Sequence, residues 1–161
     1  MTLAIVFSFL SFFGARDTTE VKAVSPTNFA QEGFMTNAKL DRIIQKSCIV
    51  QKGDFGYWEV MYRNRYLVII TDPTSNRMRI MAPVVDEKEI TDVQLKQALG
   101  ANFGKALDAK YALYNGYLWS VFTHPLGELS TSQVEDAIDQ VTNLCYSFCT
   151  SYASTKIKFA E

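Results

Sequence analysis

The chain has 161 residues, enough for one domain with a proper core and too few for two comfortable ones. Apolar residues make up 48%, aromatics 13% and charged residues 20%, with 11 Phe and 8 Tyr, which excludes disorder over most of the length. Sixteen basic against seventeen acidic side chains leave a net charge of −1, so nothing draws the chain toward nucleic acid or an anionic lipid surface.

Residues 3–13, LAIVFSFLSFF, form an apolar run as long as a signal-peptide core and shorter than the roughly 20 residues of a membrane-spanning helix. The expectation is an export signal over residues 1–23, ending at Val21-Lys22-Ala23, and a periplasmic or secreted product without a stable membrane span. The alternative is a cytoplasmic protein that keeps the apolar segment, docked on the body or anchored in a membrane interface. Residues 24–35 read as a polar linker, 36–155 as the folded domain and 156–161 as a C-terminal tail.

From Thr36 to Cys48, Leu40, Ile43, Ile44 and Cys48 recur at helical spacing, with Thr36 or Asn37 as the cap. Three runs rich in β-branched and aromatic residues follow, YWEVMYRN, RYLVIITD and RMRIMAPV. Asn64 and the turn sequence Asp72-Pro73-Thr74-Ser75-Asn76 separate them, which predicts three antiparallel strands. A second helix starts at Thr91, where Thr91 and Gln94 make a capping box; its apolar face is expected at Leu95, Ala98, Leu99, Phe103 and Leu107. Gly100 and Gly104 within it predict either close packing or fraying. The segment DAKYALYNGYLWSVFTHP then reads as a hairpin turning at Asn115-Gly116. In the last helix Ser130 caps and Gln133 closes the box. Val134, Ala137, Ile138, Val141, Leu144, Cys145, Phe148 and Tyr152 trace one stripe over five turns. The predicted fold is α+β, a five-stranded antiparallel sheet with helices in the order α-β-β-β-α-β-β-α.

No catalytic constellation emerges from the chain. The single histidine, His124, precedes a proline and has no serine elbow, cysteine partner or carboxylate signature near it, so it reads as the end of a strand. Cys145 and Cys149 are four apart without histidine partners and Cys48 stands alone. That is no zinc pattern; core packing is expected, with a disulfide from Cys48 to one of the C-terminal pair open if the protein is exported. Neither Gly-rich phosphate motif is present, and the pair in LGANFGKAL lies inside a helix. No cofactor or metal is expected.

Alternation places Trp58, Val60 and Tyr62 on one face of their strand, and Met78, Ile80 and Ala82 on the matching face of another. Trp119 is assigned to the same dry side. The opposite face carries Tyr57, Met61, Arg77, Arg79 and Met81, a mixture of the kind enriched at protein interfaces, and these are the candidate partner-binding residues.

The element order, the helix end around Asn102, the strand LDAKYAL, the aromatic strand LWSVF and the loop HPLGELS opening a long helix together resemble the YbjN and type III secretion chaperone-like superfamily. The resemblance covers roughly residues 36–155. It implies a non-enzymatic domain, in some members a homodimer, that holds an extended protein or peptide partner along sheet and groove surfaces. The competing expectation is a small-molecule sensor with an aromatic pocket around Trp58, Tyr114 and Trp119.

Overall fold

The computed structural model describes residues 33–156; the expected export signal over residues 1–23, residues 24–32 of the expected linker, and residues 157–161 of the expected tail lie outside the described residues. Helix α1, Asn37–Ser47, starts where the Thr36 hydroxyl accepts the Lys39 N–H at 3.3 Å, and its i, i+3, i+4 set Leu40, Ile43 and Ile44 is buried. At Cys48 the backbone turns extended and enters β1, Ile49–Asp54. Three strands follow, β2 at Tyr57–Tyr62, β3 at Arg65–Asp72 and β4 at Arg77–Asp86. A single 3-10 turn, Glu87–Glu89, leads to α2, Asp92–Gly104; then come β5, Lys110–Tyr114, β6, Tyr117–His124, and α3, Thr131–Ser147.

The strands form one antiparallel sheet of six, in the order β1-β2-β3-β4-β6-β5, which corrects the expected five. The additional strand is β1. Its sequence IVQKGD has two apolar residues followed by polar ones, and every one of its six residues is exposed, so no alternating burial pattern marks it. It pairs because Gly56, at φ +100°, lets the chain reverse tightly into β2. The β2–β3 connection is equally short, with Arg63 at φ +46° and Asn64 at φ +58°. Asn115 and Gly116, at +50° and +77°, make the expected two-residue turn of the β5–β6 hairpin.

Helices α1 and α3 cover one face of the sheet. Trp58, Val60, Leu67, Ile69, Met78, Ile80, Ala82, Leu118 and Phe122 meet Val134, Ala137, Ile138, Val141 and Leu144 there in a continuous core. Both capping boxes are formed, Thr91 with Gln94 and Ser130 with Gln133. Two helices depart from expectation. In α2 the buried residues are Ala98 and Ala101; of the stripe predicted there Ala98 is buried and Leu95 half-buried, while Leu99 (58% exposed) and Phe103 (94%) point outward. The helix lies beside β5 instead of under the sheet, and there alanines allow the close approach.

The long stripe of α3 is also cut short. Helix geometry stops at Ser147, and Cys149 (φ +62°) and Tyr152 (φ +55°) turn the chain back, with the Tyr152 and Thr150 N–H groups both donating to the Ser147 carbonyl. Phe148 and Tyr152 thereby close edge-to-face on Tyr111, at 5.9 and 6.2 Å, and on each other, at 5.6 Å. Ser154, fully buried, accepts the Leu107 N–H at 2.7 Å and ties this returning segment to the α2–β5 loop. The same loop is held by buried Gln140, whose Oε1 accepts the N–H groups of Asp108 (2.9 Å) and Ala109 (3.2 Å) while its Nε2 donates to Asp136 at 2.6 Å.

Candidate functional site

Cross-strand partners point to the same side of a sheet, so the register defines what lies on the face away from α1 and α3. One row runs Asp54, Tyr57, Ile70, Arg79, Thr123 across β1, β2, β3, β4 and β6. The next is Lys52, Glu59, Val68, Met81, Val121, Lys110, and beside it stand Pro83 and Trp119. Met61 lies between Ile49 and Tyr66 at one rim, and Arg77 faces Asp72 at another. All five residues singled out from the sequence therefore share this face. Arg79 and Met81 are central and Tyr57 is two strands from Arg79, about 10 Å away, whereas Met61 and Arg77 sit at the margins.

The apolar floor of the face was not legible from the sequence. Val68, only 7% exposed, lies outside the helix-side core, and Ile70, Val121 and Trp119 extend the floor around it. In β6 both alternating sets, Tyr117-Trp119-Val121 and Leu118-Ser120-Phe122, contain large apolar groups, so alternation alone did not tell which set was dry. Trp119 is accordingly corrected from the dry side to the open face, where it is half-buried and its indole N–H donates to the Tyr114 carbonyl at 2.9 Å.

Around Glu59 the face is polar and internally satisfied. The Tyr57 hydroxyl donates to Glu59 at 2.7 Å and Lys52 lies at 4.0 Å. The hydrogen bonds from Tyr57 and Tyr66 hold the Glu59 carboxyl below its usual range, while burial and then the Glu59 contact push Tyr66 up to about 12. Arg79 is different: among the described residues its Nε reaches only the Thr123 hydroxyl, at 3.4 Å, and Arg77 donates only to the neighbouring Asn76 carbonyl, at 2.9 Å.

The remaining candidates do not converge on a chemical centre. His124 ends β6, stacked on Phe122 at 5.9 Å, with Nδ1 2.8 Å from the Pro125 carbonyl oxygen. Cys48, Cys145 and Cys149 are free thiols; burial pushes Cys48 and Cys145 each up to about 11, and Cys149 is exposed instead of packed in the core as expected. Among the described residues no group of three His, Cys, Asp or Glu side chains is placed to hold a metal, and no helix is long and apolar enough to cross a membrane. The aromatic pocket expected around Trp58, Tyr114 and Trp119 does not assemble. Trp58 is buried on the helix side with its indole N–H on Asp41, at 2.9 Å, while Trp119 and Tyr114 lie on the opposite face.

The sheet edges differ as well. Along β5 the Asn102 side chain accepts the Tyr111 N–H at 2.8 Å and donates to the Tyr111 carbonyl at 3.0 Å, occupying the edge as a neighbouring strand would. Lys110 in turn donates to the Asn102 and Ala106 carbonyls at the end of α2. At the other edge, β1 ends the sheet with Ile49 68% exposed and no such cap among the described residues.

The chain is an α+β domain with α1 and α3 on one side of a six-stranded antiparallel sheet. A chain of the HopA1–SchA chaperone–effector complex is similar in structure, with a TM-score of 0.52 at 17% sequence identity over 68% of this chain and 88% of that one. No family model and no curated protein matches the sequence, so the narrower likeness to YbjN rests on the sequence motifs alone.

Proposed function

We propose that this protein is a non-enzymatic, chaperone-like or adaptor domain that holds an extended segment of a protein partner. The observation that carries the reading is the open sheet face, where Val68, Ile70, Met81, Val121 and Trp119 form an apolar floor beside Arg79. Apolar surface of this kind, with arginine and methionine at its centre, is typical of interfaces. An extended segment laid along the strands presents alternate side chains to pockets on the face. The likeness to a chain from a chaperone–effector complex supports a protein as the partner.

The test is site-specific photocrosslinking in extracts of the native cell, with a benzophenone amino acid at Met81 on the open face or at Gln45 on exposed α1. The expected result is a discrete protein adduct from position 81, absent from position 45 and lost when Arg79→Glu is added. Equal adducts at both positions, or none at position 81, would remove the open face as the binding surface.

A further inference from the structure

Resting on that reading, we infer that the segment held on the open face carries a carboxylate, with apolar side chains two and four residues away from it. The argument begins with the charge pattern of the face. Four carboxylates lie on it, and each is engaged elsewhere: Glu59 by Tyr57 and Lys52, Asp72 by the Ser75 N–H at 3.0 Å, Asp54 by the Phe55 N–H at 2.7 Å, and Asp86, opposite Tyr117, by the Lys88 N–H at 2.9 Å. Asp72 is paired across the strands with Arg77 and still turns to its own β-turn. Neither Arg77 nor Arg79 is in an ion pair with any described carboxylate.

Arg79 is no rim residue. It projects from β4, with Ile70 of β3 on one side and Thr123 of β6 on the other, one row from the apolar Val68–Met81–Val121 row. A wholly apolar segment laid on this face would strip water from the Arg79 guanidinium and leave its N–H groups unmatched, which opposes binding. A carboxylate above Arg79 turns that cost into a charge-assisted, potentially bidentate hydrogen bond, the geometry for which guanidinium is suited.

The spacing follows from strand geometry. Arg79, Met81 and Pro83 recur every second residue along β4, a step of roughly 6.8 Å, the same step that separates alternate side chains of an extended segment lying aligned with the strands as a second layer. With a carboxylate over Arg79, the side chain two positions on meets Met81 and Val121, and the one four positions on meets Pro83 and Trp119. Arg77 extends the positive end and accommodates a second acidic residue.

The experiment is selection from a displayed library of random peptides about twelve residues long, enough to run the length of β4, against the full-length wild-type chain, Arg77→Gln/Arg79→Gln and Arg79→Lys. Circular dichroism melting checks that each variant is folded. The expected outcome is enrichment in wild type of Asp or Glu with apolar residues two and four positions away. The double variant loses the acidic preference and keeps the apolar one, Arg79→Lys retains both, and the affinity of a selected peptide falls about three- to tenfold in the double variant. Captured peptides without an acidic excess, or an acidic excess that survives in the double variant, overturn this inference and leave the protein-binding reading in place. Capture of no peptide by any of the chains overturns both.

Discussion

Gln140 shows how a single buried polar side chain fixes a loop. It is fully enclosed, yet each of its amide atoms has partners: Oε1 takes the Asp108 and Ala109 N–H groups, and Nε2 gives to Asp136 and, at 3.3 Å, to Asp108. Those two backbone donors end the turn from α2 into β5, and of the two the Ala109 N–H is buried, so without Gln140 it has no acceptor and no water in reach. Gln140→Leu keeps the volume and removes the one acceptor, Oε1, that the two N–H groups share. It is expected to lower stability by about 1–3 kcal/mol, the range for one buried donor left unmatched. Urea melting measures this, and a midpoint equal to wild type would mean that water reaches the loop and replaces the side chain.

At the scale of the element, α2 is the least conventional piece. Its inner face is Ala98 and Ala101, its outer face carries Leu99 and Phe103, and a side chain added at Gly100 would meet nothing within 4 Å. Close packing, one of the two reasons anticipated for a glycine there, is therefore absent. Gly100→Ala is expected to stabilise the protein by about 0.5–1 kcal/mol, through helix propensity and the smaller entropy of the unfolded chain. Thermal melting settles it, and a lower melting temperature would mean that the glycine is matched to something outside the described residues. The same helix marks the boundary of what the sequence discloses. Caps, hairpin turns and strands with one apolar face were readable, because Thr91 and Gln94, Asn115 and Gly116, or Trp58 and Val60 act on their immediate neighbours. What the chain does not carry locally was missed. Strand β1 is held by its hairpin with β2 and by no burial pattern, and the outward turn of Leu99 and Phe103 depends on where α2 docks. In the candidate site, Tyr57, Arg79 and Met81 were readable by alternation, but the Val121 and Trp119 floor required knowing that β6 lies next to β4, a pairing that spans the whole of α2 and β5.

For the whole molecule the two ends of the sheet set where another strand can join. An exposed edge presents unpaired N–H and C=O groups to any extended chain, and proteins commonly cover such edges. Here β5 is covered by one side chain that supplies both a donor and an acceptor to Tyr111, while Lys110 clamps the helix that carries it by donating to the α2 carbonyls. At β1 the only strand neighbour among the described residues is β2, so strand addition has a direction built into it. Asn102→Ala should abolish that direction. Half-exposed Asn102 makes two hydrogen bonds to the strand, so the expected loss of stability is modest, about 1–2 kcal/mol. The larger effect is local. The Tyr111 amide should exchange its hydrogen about tenfold faster or more, because it loses its acceptor, while the amides of β1 keep their wild-type rates. Hydrogen exchange followed by NMR separates the two edges residue by residue. If Tyr111 exchanged at its wild-type rate in Asn102→Ala, the edge would be closed by the packing of α2 as a whole; the Asn102 amide would then be incidental, and the asymmetry between the edges would belong to the helix and not to one side chain.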